Sequence, residues 1–146
     1  MNRYLLDVNV LFALVWPAHE GHAVAHAWFA KSGRHAWATN SIIQLGVLRL
    51  LTNPVVTQSA VSATSALSAL SEATRHAGHE FWPLDRDAPA ALKRIANRVM
   101  GHRQWTDALL LWQAAERHGV LTTFDSGVKE LAAGDLSGHV LLLKRR

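Results

Sequence analysis

The stretch "YLLDVNVLFAL", residues 4–14, places one carboxylate, Asp7, inside a largely apolar run. The run predicts a short strand at residues 3–7 that enters the core, so Asp7 is expected at the carboxyl end of a buried strand. An unpaired buried charge costs several kcal/mol, and such a residue therefore requires a partner. Asp7 therefore marks both the end of the first strand and a place where a partner for its charge is expected.

Strands and helices alternate outward from this segment. Apolar spacing and end signals predict helices over 19–33, 40–54, 59–78, 87–100 and 106–119, and strands over 35–39, 80–84, 120–124 and 139–143. The alternation indicates a single α/β domain over 1–146 with a mainly parallel sheet. In such sheets ligands bind beyond the carboxyl ends of the strands.

Composition narrows the class of protein. The chain has 146 residues, 49% of them hydrophobic, and no cysteine, which excludes disulfides, thiolate zinc sites and cysteine nucleophiles. Fifteen Lys and Arg residues against eleven Asp and Glu residues favour an anionic partner such as nucleic acid. No apolar run reaches the length of a membrane span and no secretory pattern opens the chain, so a cytoplasmic location is expected.

Three aspartates stand at predicted element junctions: Asp7, Asp107 in "WTDAL" and Asp125 in "TFDSG". Each has a structural explanation. Asp7 could form an Asx turn with Asn9, Asp107 could be a first-turn acid after an N-cap at Thr106, and Asp125 could be a turn residue or a helix cap. If the sheet gathers them, two carboxylates about 5 Å apart repel by roughly 3 kcal/mol at an effective dielectric of about 20. Mg²⁺ or Mn²⁺ would relieve that repulsion, because hard cations prefer oxygen ligands. An acidic metal pocket on a basic protein indicates phosphodiester cleavage.

The chain resembles the PIN-domain ribonucleases and, within them, the VapC-type toxins of bacterial toxin–antitoxin pairs. The resemblance rests on "LLDVNVLFAL", "NSIIQLGVLRLLTNP", "TDALLLWQAAERHG" and "VLTTFDSG", in this order and with these gaps. It implies a PIN-like three-layer α/β/α fold with a mainly parallel sheet of four to five strands. It also implies a Mg²⁺- or Mn²⁺-dependent endoribonuclease that forms a homodimer and is inhibited by a small antitoxin.

By this resemblance Asp7, Asp107 and Asp125 match the catalytic, metal-binding acids, and Asn9, Thr106 and Thr123 orient ligands or water. Gln44 stands where family members usually carry a glutamate in the middle helix. Its amide can offer a carbonyl oxygen to a metal but adds no charge. Two alternatives therefore stay open: a weak or inactive RNA-binding PIN domain, and a metallohydrolase that acts on another phosphoester.

Other side chains are candidates for nucleic-acid contact or for zinc. Near the predicted site segments, phosphate and base contacts are expected from Arg49, Arg86, Arg103 and Trp105. The remaining tryptophans in predicted helices and strands are expected in the core: Trp28, Trp37, Trp82 and Trp112. The spacing of His19, His22 and His26 allows a zinc pair on one helix face, but no fourth ligand accompanies them, so a solvated or packing role is favoured.

Overall fold

A computed structural model describes residues 2–145 as a five-stranded sheet in which every neighbouring pair of strands is parallel. The order is β3-β2-β1-β4-β5. The strands are β1 (Tyr4–Leu6), β2 (Trp37–Thr39), β3 (His79–Phe81), β4 (Val120–Thr123) and β5 (Val140–Leu142). The predicted parallel sheet of four to five strands is confirmed.

Helices cover the two faces of this sheet. The crossovers among β1, β2 and β3 carry α1 (Val8–Val15), α2 (His22–Lys31), α3 (Ser41–Leu51), α4 (Pro54–Thr57) and α5 (Ala63–Thr74). The crossovers among β3, β4 and β5 carry α6 (Ala88–Leu92), α7 (Trp105–Glu116) and α8 (Ser126–Leu131). The first group packs through α1, α3 and α5, and the second through α6, α7 and α8. Right-handed crossovers in opposite directions produce this three-layer α/β/α arrangement.

The helices differ from the sequence prediction at several points. Helix α1 was missed, because residues 8–15 are almost wholly apolar and carry no clear helical period. Helices α4 and α8 were also missed, since each is too short for periodicity to reveal. The predicted helix over 87–100 is wrong in length: α6 ends at Leu92, and the chain continues through a 3₁₀ turn at Ala96–Arg98. There Arg98 donates to the carbonyls of Leu131 and Ala133, and these tertiary bonds outweigh the weak helical preference.

The core lies on both faces of the central strands. Leu5, Leu6 and Leu121 are fully buried, and the tryptophans Trp37 and Trp82 are buried as predicted. The other two predicted core tryptophans, Trp28 and Trp112, are only partly buried. No helix in the part of the chain that the structure describes is long and apolar enough to cross a membrane.

The order of the strands changes direction between β1 and β4: β2 and β3 are added on one side of β1, and β4 and β5 on the other. Leu5 pairs with Ala38 of β2 on one side and with Leu121 of β4 on the other. The backbone N–H of Asp7 donates to the Thr122 carbonyl at 2.9 Å, which aligns the carboxyl ends of β1 and β4. Such a switch point opens a crevice, and it is where α/β sheets place their ligand sites.

A buried amide pair connects the layers near this crevice. The Asn40 side chain donates to Gln113 Oε1 at 2.7 Å and accepts from the Ile43 N–H at 2.9 Å, which caps α3. Gln113 in α7 in turn donates to the carbonyls of Trp82 and Pro83 at 3.3 and 3.2 Å. Loss of either amide would leave buried polar groups unpaired, at roughly 1–3 kcal/mol each. These bonds hold α3 and α7 in fixed positions beside the sheet.

Candidate active site

Asp7 lies at the carboxyl end of β1, and its side chain is buried with 8% exposure. The two carboxylate oxygens have separate partners: Oδ1 accepts from the Val8 N–H at 2.8 Å, and Oδ2 accepts from the Thr123 hydroxyl at 2.7 Å. Asp7 thus caps α1 rather than forming an Asx turn with Asn9. Burial raises the pKa of Asp7; the hydrogen bonds from Thr123 and Val8 lower it, and Asp125 raises it further.

Thr123, the last residue of β4, joins two of the aspartates. Its hydroxyl donates to Asp7 and accepts from the Asp125 N–H at 3.0 Å. Asp125 is exposed and caps α8, with its Oδ1 accepting from the Gly127 N–H at 2.8 Å. One threonine therefore fixes the Asp7 carboxylate and the backbone of Asp125 together.

The third aspartate, Asp107, lies in the helical layer that contains α7. It lies in the first turn of α7 and is partly buried. The helix begins at Trp105, so Thr106 lies inside the first turn, and its interpretation as an N-cap is wrong. Burial, with the charges of Asp7 and Asp125, raises the pKa of Asp107 from 3.8 to about 7. The fold therefore brings the three aspartates into electrostatic contact at the crevice.

The chemistry of these donors suits a hard divalent cation. All three are carboxylates, and each retains unshared lone pairs after its hydrogen bonds. Among residues 2–145, however, no group of three or more histidine, cysteine, aspartate or glutamate side chains lies close enough together to hold a metal ion. Mg²⁺ keeps several of its own waters and is commonly held by one or two carboxylates, so an open set of this kind fits it.

Gln44 projects from α3 into a separate polar chain. Its amide Nε2 donates to the Thr39 hydroxyl at 3.0 Å, and that oxygen lies 2.8 Å from His79 Nε2. Burial lowers the pKa of His79, while the backbone of Thr74 raises it. A neutral ring with its proton on the nitrogen facing Thr74 accepts from Thr39, which in turn accepts from Gln44. The amide nitrogen of Gln44 is thus occupied, and its carbonyl oxygen remains available.

The sequence reasoning missed Thr39 and His79. Thr39 carries a signal of its own, since it is a polar residue at the end of a buried strand, as Asp7 is. His79 opens β3 and carries no such signal. Its contact with Thr39 depends on the pairing of β2 with β3, which the sequence does not state.

The remaining candidates lie on the surface around the crevice or away from it. Asn9 and Thr106 are exposed in the first turns of α1 and α7. Trp105 is 47% exposed at the start of α7. Three exposed arginines stand apart from one another, at the last turn of α3, after β3 and before α7: Arg49, Arg86 and Arg103.

The histidines of the zinc alternative have other partners. His19 Nδ1 accepts from the Gly21 N–H at 2.8 Å, and His22 Nδ1 lies 2.7 Å from the Ala13 carbonyl. The rings of His22 and His26 are 5.6 Å apart, and the described residues supply no third ligand. These contacts favour the packing role over zinc.

Comparison with known proteins agrees with this geometry. Residues 4–134 match the PIN domain family. Ribonuclease VapC39 of Mycobacterium tuberculosis is 40% identical over 134 residues, which cover 90% of this chain and 95% of that protein. Ribonuclease VapC38 of the same organism is 38% identical over 133 residues, covering 88% and 89%. The chain therefore belongs to the PIN-domain family. Within that family it belongs with the VapC proteins.

Replacing Asp107 by asparagine should change how stability depends on pH. The pKa of Asp107 is raised in the folded chain, so its ionisation destabilises the fold progressively as pH rises from about 4 to about 7. Asp107→Asn removes this loss and should increase the free energy of unfolding at pH 8 by about 1–2 kcal/mol after solvent screening. At pH 4 the two chains should be nearly equal. Urea unfolding at both pH values measures the difference, and an equal difference at both would contradict the raised pKa.

Replacing Gln44 by glutamate should reverse the polar chain. A carboxylate cannot donate, so the Thr39 hydroxyl would turn toward it and His79 Nε2 would have to carry a proton. The pKa of His79 should therefore rise in Gln44→Glu, which NMR titration of the ring measures. The exposed Gln58→Glu adds the same charge elsewhere and serves as the control. An unchanged His79 titration in Gln44→Glu would show that the chain does not couple these residues.

Proposed function

We propose that this protein is a Mg²⁺- or Mn²⁺-dependent endoribonuclease that cleaves RNA phosphodiester bonds and acts as the toxin of a toxin–antitoxin pair. The observation that carries the proposal is the position of three aspartates at the carboxyl ends of β1 and β4 and at the start of α7, where the Thr123 hydroxyl joins the Asp7 carboxylate to the backbone of Asp125. Burial and the charges of Asp7 and Asp125 raise the pKa of Asp107 to about 7, in agreement with this arrangement. Relatives named as ribonucleases over most of the chain support RNA as the substrate. The excess of Lys and Arg agrees with an anionic substrate.

Asp7, Asp107 and Asp125 are the residues that would hold the divalent ion. Once bound, the ion would activate a water molecule and stabilise negative charge on the phosphate and the leaving oxygen. Thr123 holds the Asp7 carboxylate in one orientation through its 2.7 Å hydrogen bond, and it fixes Asp125 through the backbone. In the metal-free chain burial and the neighbouring carboxylates raise the pKa of Asp107 to about 7, and a bound dication would favour its charged, ligating form.

Supporting roles follow from position. Asn9 and Thr106, exposed in the first turns of two helices that begin at the crevice, orient ligands or water. Arg49, Arg103 and Trp105 contact the RNA around the site. Gln44 offers its carbonyl oxygen in place of a glutamate carboxylate, so the site has one negative charge fewer than the usual family pattern.

The protein partners are a second copy of the chain and a small antitoxin. Exposed apolar side chains on α3 and α4, Leu45 and Val55, support a surface that another protein covers. A cationic side chain of the antitoxin that enters the acidic pocket would replace the charge of the metal ion and would keep the enzyme inactive.

Removing a site carboxylate should abolish cleavage while the fold persists. Asp107→Asn is expected to lower the rate of RNA cleavage in Mg²⁺ or Mn²⁺ by at least about 100-fold, because it removes one of the three carboxylates that would hold the ion. Glu130→Gln, which removes an exposed charge on α8, should retain the parent rate. Gel assays of RNA cleavage, with and without a chelator, make the measurement.

The same assays separate the alternatives. Full activity in Asp107→Asn would reject the site. Tight RNA binding by the parent without cleavage would identify an RNA-binding PIN domain, for which the neutral Gln44 provides a reason. Hydrolysis of a small phosphoester that RNA fails to inhibit would identify a different metallohydrolase.

The toxin role makes a prediction in cells. Expression of the chain alone is expected to arrest growth, because uninhibited RNA cleavage stops translation. Co-expression of the small protein encoded by the neighbouring gene should restore growth. Expression of the Asp7→Ala variant without that small protein should leave growth unchanged. Normal growth under strong expression of an enzyme that is active in vitro would count against the toxin assignment and leave the ribonuclease assignment intact.

A further inference from the structure

A cleft of about 750 Å³ lies on the α6–α8 side of the molecule, away from the aspartates. Its walls are α6 with the turn that follows it, the last turns of α7, and residues 135–139 before β5. Asp107 and Trp112 lie on the same helix, with Trp112 five residues closer to its carboxyl end, about 7.5 Å along the axis. The volume is that of a typical ligand pocket.

Positive charge predominates at the cleft. Four cationic side chains line it against two acids: Arg86, Lys93, Arg94 and Arg98 against Glu116 and Asp135. Arg94 and Arg98 both pair with Asp135. Arg86 and Lys93 make no ion pair or side-chain hydrogen bond with any residue that the structure describes, and both are exposed. Two cations without an ion-pair partner therefore lie at the cleft, beside one acid, Glu116, that is also outside the ion pairs of the described residues.

Arg98 fixes one wall of the cleft, and apolar side chains form part of its lining. Arg98 donates to the carbonyls of Leu131 and Ala133 as well as pairing with Asp135, which ties the chain before β5 to the turn after α6. The floor includes the partly buried ring of Trp112, beside small and aliphatic side chains at 90, 91, 95, 115 and 136. An aromatic face beside unpaired cations is the combination that binds single-stranded nucleic acid, since bases stack and phosphates pair.

We propose that this cleft binds a single-stranded segment of RNA outside the cleavage site, with a base on Trp112 and phosphates on Arg86 and Lys93. The identity of the ligand rests on the proposed function. The acidic crevice itself repels phosphate until a cation occupies it, so affinity for RNA has to come from cationic surface elsewhere. An RNA strand that crosses α7 would contact the aspartates at one end of the helix and the cleft at the other.

The test measures RNA binding without cleavage, in chains that all carry Asp107→Asn. Fluorescence anisotropy with a labelled single-stranded RNA, from about 50 to about 200 mM KCl, gives the affinity and its salt dependence. Arg86→Ala/Lys93→Ala should weaken binding about tenfold and reduce the slope of log K against log salt by about 1.4, the value for two phosphate contacts on a single strand. Lys31→Ala/Arg34→Ala removes two charges from the opposite layer and should leave the slope unchanged.

Competition identifies the occupant of the cleft. Unlabelled RNA should displace the probe, whereas AMP, UMP and polyglutamate at equal phosphate or carboxylate concentration should not. Displacement by a mononucleotide or by polyglutamate as strong as that by RNA would overturn the proposal. The melting temperature of each variant is measured as well. A lower melting temperature of Arg86→Ala/Lys93→Ala with unchanged RNA affinity would show that the two residues stabilise the fold and do not bind RNA, which would also overturn the proposal. Because binding is measured without cleavage, a changed slope supports the cleft even if the nuclease assays fail.

Discussion

The buried carboxylate of Asp7 is the constraint on which the site depends. It lies at the end of the central strand, and its two oxygens are held by Val8 and Thr123. The same threonine accepts the backbone N–H of Asp125, so one hydrogen-bonded group aligns the ends of β1 and β4. These bonds favour the charged form of Asp7, but burial outweighs them and raises its pKa. Asp107, in the first turn of α7, lies near enough to be repelled by the charges of Asp7 and Asp125. The three acids together are electrostatically unfavourable without a counter-ion.

The rest of the fold holds the acids in this arrangement. The amide pair of Asn40 and Gln113 connects the start of α3 to the middle of α7, so the helices that carry Gln44 and Asp107 keep a fixed relation to the sheet. Helix α7 separates two kinds of charge. Asp107 lies near its amino end, and the cationic cleft lies beside its carboxyl end. A polyanion that spans the helix would meet the acidic crevice at one end and unpaired cations at the other.

Much of this could be predicted from the sequence, because strand ends are marked by polar residues after apolar runs. Asp7 and Thr123 are examples, and the alternation of elements was sufficient for the parallel sheet. Helix α1 was missed because a nearly uniform apolar run carries no period. Thr106 was misplaced because α7 begins at Trp105, two residues earlier than an N-cap at Thr106 indicates. The partners of Gln44 and the location of Arg86 at the cleft depend on strand pairing and helix packing. Those arise from contacts between distant residues, which a local pattern does not record.

The central claim is that a divalent cation relieves the repulsion among Asp7, Asp107 and Asp125. Calorimetric titration of Mg²⁺ or Mn²⁺ at pH 7, in two buffers of different ionisation enthalpy, tests it through proton release. Since the pKa values of Asp107 and Asp7 are raised, ion binding should release protons from the parent chain, and fewer from Asp107→Asn, which should also bind the ion more weakly. Metal binding without proton release, or equal binding by both chains, would contradict the account.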